Sequence, residues 1–168
     1  MRVQIALLIL AMTSLWSSSA LAARDLCGYR TLEAGTVFSL SIDRSFDSHV
    51  IFKICARKDP NKNFLLVIVD SKGKSKHHES RQVSLSADTY AKVLALYDKA
   101  LEYNVKDDGA GTDGSVWCLE TQRGFTYSKA CFWTPDDKPK ERGISGLLVL
   151  GQELWRLAAM GPSDGELY

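Results

Sequence analysis

The chain reads as an α+β fold: a single antiparallel sheet of about six strands, in the order ββββ-α-ββ-α, with two amphipathic helices packed on it and disulfide staples across it. Three observations predict this. Short runs rich in β-branched and aromatic residues, broken by turn signals, fill the region from Val37 to Leu85 and recur from Ser115 to Trp133. Two segments carry an apolar stripe at helical spacing, one after each group of strands. All four cysteines fall outside the first 22 residues, an even set suited to pairing.

Val37-Phe38-Ser39-Leu40-Ser41-Ile42 alternates apolar and polar residues and predicts the first strand. His49-Val50-Ile51-Phe52-Lys53-Ile54-Cys55 predicts the second. Asp59-Pro60-Asn61 is a turn signal. Phe64 to Val69 is a continuous apolar run of strand length, expected to be central and covered on both faces. A polar loop, Ser71 to His78, leads to a fourth strand over Arg81–Leu85. Ser86 is a good helix N-cap and Asp88 sits in the first turn, where negative charge suits the helix dipole. Tyr90, Val93, Leu94, Tyr97 and Leu101 then mark a helix ending near Tyr103. Lys106 to Gly114 is a loop by composition. Ser115–Thr121 and Phe125–Trp133 form a hairpin around Gln122-Arg123-Gly124. Pro135 to Lys140 is a charged loop, and Ile144, Leu147, Leu148, Leu154, Trp155 and Ala158 mark the second helix. Gly161-Pro162 stops it, and the tail to Tyr168 is expected to hang loose.

The first 22 residues stand apart. A short basic end, the apolar run Ile5–Met12 and the triplet Ala20-Leu21-Ala22 have the order of a secretory signal peptide cleaved after Ala22. Residues 23–168 then form one α+β domain. The apolar run is shorter than the ~20 residues a membrane-spanning helix needs, so no stable membrane insertion is expected after cleavage. Export to a periplasmic or extracellular space and an even cysteine count imply two disulfides. Four cysteines allow three connectivities. A hairpin can set Cys118 against Cys131, which leaves Cys27 for Cys55; crossed pairing between the halves is the rival.

Lysine plus arginine number 21 and aspartate plus glutamate 20. Loss of Arg2 with the leader makes the counts equal, and such a balance argues against nucleic acid as a partner. Enzyme motifs fail. Gly143-Ile144-Ser145-Gly146 is one residue short of a nucleophile elbow, and neither a phosphate loop nor a zinc-protease helix is present. Asp108-Gly109-Ala110-Gly111-Thr112-Asp113 lacks the ligand spacing of a calcium loop. No metal or cofactor is expected. Glu33, Asp43 and Glu120 are among the carboxylates available for a hydrolytic pair, but such a pair is defined in space rather than by spacing.

Two groups are candidate partner contacts. Trp117 and Trp133 flank the hairpin cysteines and serve either as core or as exposed aromatic anchors. Lys72, Lys74, Lys76, His77 and His78, with Arg81 nearby, form a basic loop suited to an anionic partner or to plain solvation. Loops Gly109–Gly114 and Pro135–Lys140 are further contact elements. In size, export pattern and disulfide count the chain resembles small exported bacterial inhibitors of cell-wall enzymes and periplasmic immunity proteins, a resemblance that carries no residue roles. It implies a non-catalytic protein with a protein partner in the envelope. The alternatives are a small hydrolase of envelope polymers and an envelope structural or stress protein.

Overall fold

The computed structural model describes Cys27, residues 35–71, 78–102, 111, 113–123 and 126–161, and Leu167. The expected leader, residues 1–22, lies outside the described residues, as do Lys72, Lys74, Lys76 and His77. In chain order the elements are β1 (Gly35–Arg44), β2 (His49–Ala56), β3 (Phe64–Asp70), β4 (His78–Ser84), α1 (Ala87–Leu101), β5 (Ser115–Arg123), β6 (Thr126–Trp133) and α2 (Ser145–Leu157). The strands form one sheet in the order β4-β3-β2-β1-β5-β6, each neighbour antiparallel. The expected α+β plan is the observed one.

Three hairpin steps carry the chain from β1 out to the edge at β4. α1 then crosses back, and β5 enters on the free side of β1. The β2–β3 connection opens with a turn of 3₁₀ helix at Pro60–Lys62, capped by Asp59, whose carboxylate accepts from the Asn61 amide. Ser86 caps α1 by accepting from the Thr89 amide. Arg81, on β4, donates to the Ala158 carbonyl at 2.6 Å and so holds the C-terminal end of α2, where cations are favoured.

Both helices lie on one face of the sheet. Phe38, Leu40 and Ile42 of β1, Val50, Phe52 and Ile54 of β2, Leu65 and Val67 of β3, and Trp117 and Leu119 of β5 point into this layer. Val93, Tyr97 and Ala100 of α1 and Leu147, Leu150 and Leu154 of α2 meet them. Two glycines let the layers close. A Cβ at Gly151 would overlap the Trp117 indole, and one at Gly146 would overlap the Lys99 carbonyl of α1. Leu167, in the tail expected to hang loose, is buried in this core.

β3 is covered on both faces over Phe64–Val67, as its unbroken apolar run predicts. It is not central: it is the second strand from the β4 edge. Its second cover is a small cluster of Phe64 and Leu66 with Cys27 and Cys55.

Two interactions yield predictions. The Tyr97 ring stacks on Phe38 at 4.3 Å, yet its buried hydroxyl finds no hydrogen-bond partner among the described residues. An unsatisfied buried hydroxyl costs about 1–3 kcal/mol. Tyr97→Phe should therefore leave the thermal midpoint unchanged or raise it; a clear drop would mean the hydroxyl is bonded. The Glu153 carboxylate on α2 receives Arg156 at 2.8 Å and Lys92 of α1 at 3.0 Å. The Arg156 hydrogen bond leads in pulling its pKa from 4.5 down to about 2. A depressed carboxylate stabilises the fold above its unfolded pKa, and that stability is lost as pH falls from 4.5 towards 2. Both cations are exposed, which limits the gain to about 1 kcal/mol. Glu153→Gln should show that deficit in urea melts at pH 7 and match the parent near pH 2; a gap that does not depend on pH would refute the assignment.

Candidate functional site

Among the described residues, the face of the sheet away from the helices has no second layer over most of its area. Strand alternation decides what it displays. A register shift between Thr36 and Phe38 of β1 sets the odd residues from Ser39 onward on this face. Pairing then aligns one row across five strands: Leu66, Lys53, Ser39, Glu120 and Lys129. The next row holds Ile68, Ile51, Ser41, Cys118 and Cys131.

These rows floor a groove of ≈ 360 Å³ lined by Ser39, Ser41, Lys53, Glu120, Tyr127 and Lys129, among others. Lys129 Nζ meets Glu120 Oε1 at 2.7 Å, directly across the β5–β6 pair. The hydrogen bond to Glu120 raises the Lys129 pKa, so the Lys129 ammonium stays protonated at neutral pH. Tyr127 stands 60% exposed at the groove wall. Among the described lining residues Glu120 is the one carboxylate, and it is engaged by Lys129. Glycoside hydrolysis needs two. No cluster of three or more metal-ligating side chains occurs among the described residues.

The cysteines pair Cys27–Cys55 and Cys118–Cys131. Cys118 and Cys131 lie directly opposite in register, Cα atoms 4.0 Å apart. This pairing separates the two tryptophans. Cys131 shares its face with Trp133, whereas Trp117 points to the opposite face from its neighbour Cys118. Trp117 is fully buried beneath α2 and donates its indole N–H to Ser115 Oγ at 2.8 Å. As a candidate partner contact it is corrected: its ring reaches no solvent and belongs to the core. Trp133 is half-buried on the open face. It lines a smaller hollow of ≈ 210 Å³ with Gly111, Gly114 and Val116.

Of the basic loop, only His78 falls within the described residues, and its Nδ1 lies 2.6 Å from the Asp70 carboxylate, its register partner. Arg81 is occupied at the end of α2. The charged loop after Pro135 is built around Arg142, a buried guanidinium that donates to the carbonyls of Trp133, Thr134 and Asp137 at 2.6–3.0 Å. That hub holds residues 134–143 in a defined shape.

The β1–β2 turn supplies a feature that sequence reading passed over. Phe46 at its tip is 85% exposed. Buried Arg44 braces the turn by donating to the Ser48 carbonyl at 3.0 Å and pairing with Asp47 at 3.0 Å. Ser45 N–H donates to the Gly114 carbonyl. The signal was an aromatic residue among small polar ones, Arg44-Ser45-Phe46-Asp47-Ser48. Lys53, Tyr127 and Lys129 were likewise visible as the polar or amphipathic members of strands, but their convergence depends on strand order.

No protein-family model matches the chain, and no curated protein matches it either.

The Cys118–Cys131 bridge closes a loop of 13 residues in separation on a strand with a single buried residue, Phe132. Replacing both cysteines by alanine should cost about 3 kcal/mol. Backbone amides of β6 should then exchange hydrogen faster while those of β1 and β2 stay protected. Unchanged protection in β6 would show that packing alone holds the strand.

Proposed function

We propose that this is an exported, non-catalytic binding protein of the cell envelope, of inhibitor or immunity type, that recognises a protein partner with the open face of its sheet. One observation carries the reading. Both helices cover the same face, and the opposite face keeps a groove that combines an exposed tyrosine, the Glu120–Lys129 ion pair, Lys53 and the Ser39 and Ser41 hydroxyls. A mixed surface of this kind, with an amphipathic aromatic among placed polar groups, is what protein interfaces present. Phe46 stands exposed on the braced β1–β2 turn, beside Gly114 at the start of β5, and rigid aromatic groups lose little entropy on binding.

Three observations support the setting. Disulfides form and persist in oxidising compartments, and both pairs are formed here. The leader pattern over residues 1–22 supports a periplasmic or secreted location. No helix among the described residues is long and apolar enough to cross a membrane.

The test is affinity capture from envelope and culture extracts with the oxidised protein as bait, run beside Tyr127→Ala and Lys53→Glu. A stoichiometric partner kept by the parent and lost by both variants is the expected result. A partner retained by both variants would move recognition off this face. The absence of any partner would sink the binding-protein reading.

A further inference from the structure

The two edges of the sheet are built differently. β4 carries His78, Glu79 and Arg81, the charged kind of edge that discourages pairing with another chain. β6 carries one charge, Lys129, and Glu120 neutralises it. β6 also has no proline, and its pairing with β5 runs from Trp133 to Thr126 without a register shift. From Ser128 to Phe132 the described residues leave its edge as a straight template.

The orientation of that edge follows from the ladder. Thr134 N–H donates to the Ser115 carbonyl at 2.6 Å, which makes 115–134 a hydrogen-bonded pair. Antiparallel pairs alternate, so Trp117–Phe132 and Leu119–Ala130 are bonded and Cys118–Cys131 is the close, non-bonded type. The 4.0 Å Cα separation of the cystine agrees. Tyr127, Lys129, Cys131 and Trp133 therefore turn their N–H and C=O groups outward. Arg142 confirms the direction by taking the Trp133 carbonyl from outside the sheet. Tyr127, Lys129 and Cys131 have no backbone partner on that side among the described residues.

We propose that this free edge pairs antiparallel with β6 of a second copy of the chain, about a two-fold axis at Ala130. An antiparallel strand is complementary to itself, so one such contact closes as a symmetric dimer. A register centred on Ala130 lets Lys129 of each copy exchange backbone bonds with Cys131 of the other. The contact spans Ser128 to Phe132 of each copy, because the outward Trp133 carbonyl is already held by Arg142. Centring on Lys129 would instead oppose like charges. The cystine pins β6 to its own sheet, so little ordering is left to do at the moment of pairing. The dimer joins two open faces into one continuous surface, and it stands independently of the partner proposed above.

Sedimentation equilibrium of the oxidised protein from micromolar to millimolar concentration tests this, and a monomer–dimer equilibrium is expected. Lys129→Pro removes an outward donor and leaves the ladder to β5 intact, because proline is tolerated where an edge N–H faces solvent. Two donors vanish per dimer, so association should weaken about a hundredfold, at roughly tenfold for each bond, with the far-ultraviolet spectrum unchanged. Ala130→Cys should cross-link two copies on oxidation, and Ser128→Cys, displaced from the axis, should not. A monomer at every concentration overturns the proposal. So does a dimer that survives Lys129→Pro, or cross-linking through residue 128 as readily as through 130.

Discussion

The indole of Trp117 rests against the backbone of α2 at Gly151, and the arrangement of the whole molecule depends on that contact. Any side chain at 151 would push α2 off the sheet. With glycine there, the largest side chain of the core fills the space between β5 and α2, and its N–H is satisfied within its own strand by Ser115. A buried indole with a bonded N–H is well placed to carry such a contact. α2 in turn holds α1 through the close approach at Gly146 and the Lys92–Glu153–Arg156 cluster. Both helices are thereby committed to one face, and the other face is left to side chains that tolerate water.

That commitment shows in the composition of β1. Phe38, Leu40 and Ile42 are buried, while the residues between them are serines and the exposed Asp43 follows. The pattern says which residues lie together and which face is wet. β3 reads differently, because Phe64 and Leu66 point to the wet side and are buried all the same. Cys27 and its partner Cys55 pack against them, and an unbroken apolar run was the trace of that local second cover.

Most of the fold was visible in the sequence because it rests on local signals. Alternation located the strands, the Ser86 cap and the 3.6-residue stripes located the helices, and the hairpin made Cys118–Cys131 a natural pair. What the sequence left open depends on contacts between distant segments. Placing β5 beside β1 rather than beside β4 is a choice of crossover, and the row Lys53, Ser39, Glu120, Lys129 exists only once it is made. Trp117 and Trp133 looked alike as aromatics beside cysteines. They part company because a facing cystine fixes strand parity, and a residue adjacent to one half-cystine must point away from it. The buried guanidinium of Arg142 was illegible for another reason: the groups it donates to are backbone carbonyls, which carry no residue identity.

Both disulfides lie on the face away from α1 and α2, and this placement links the chemistry of an oxidising compartment to the shape of the surface. A sheet in a two-layer fold is held by what packs on it, and here packing acts on one face. Where the other face needs holding, at Cys27 over β3 and at the thinly buried edge strand β6, a covalent bond stands in for a second layer. The cystines secure those points without filling the area between them, so the groove over Ser39 and Glu120 stays open. The same bonds would not persist in a reducing cytosol. A protein that keeps one sheet face free by stapling rather than covering it is therefore suited to an oxidising space, and its open face is the surface that such a construction preserves.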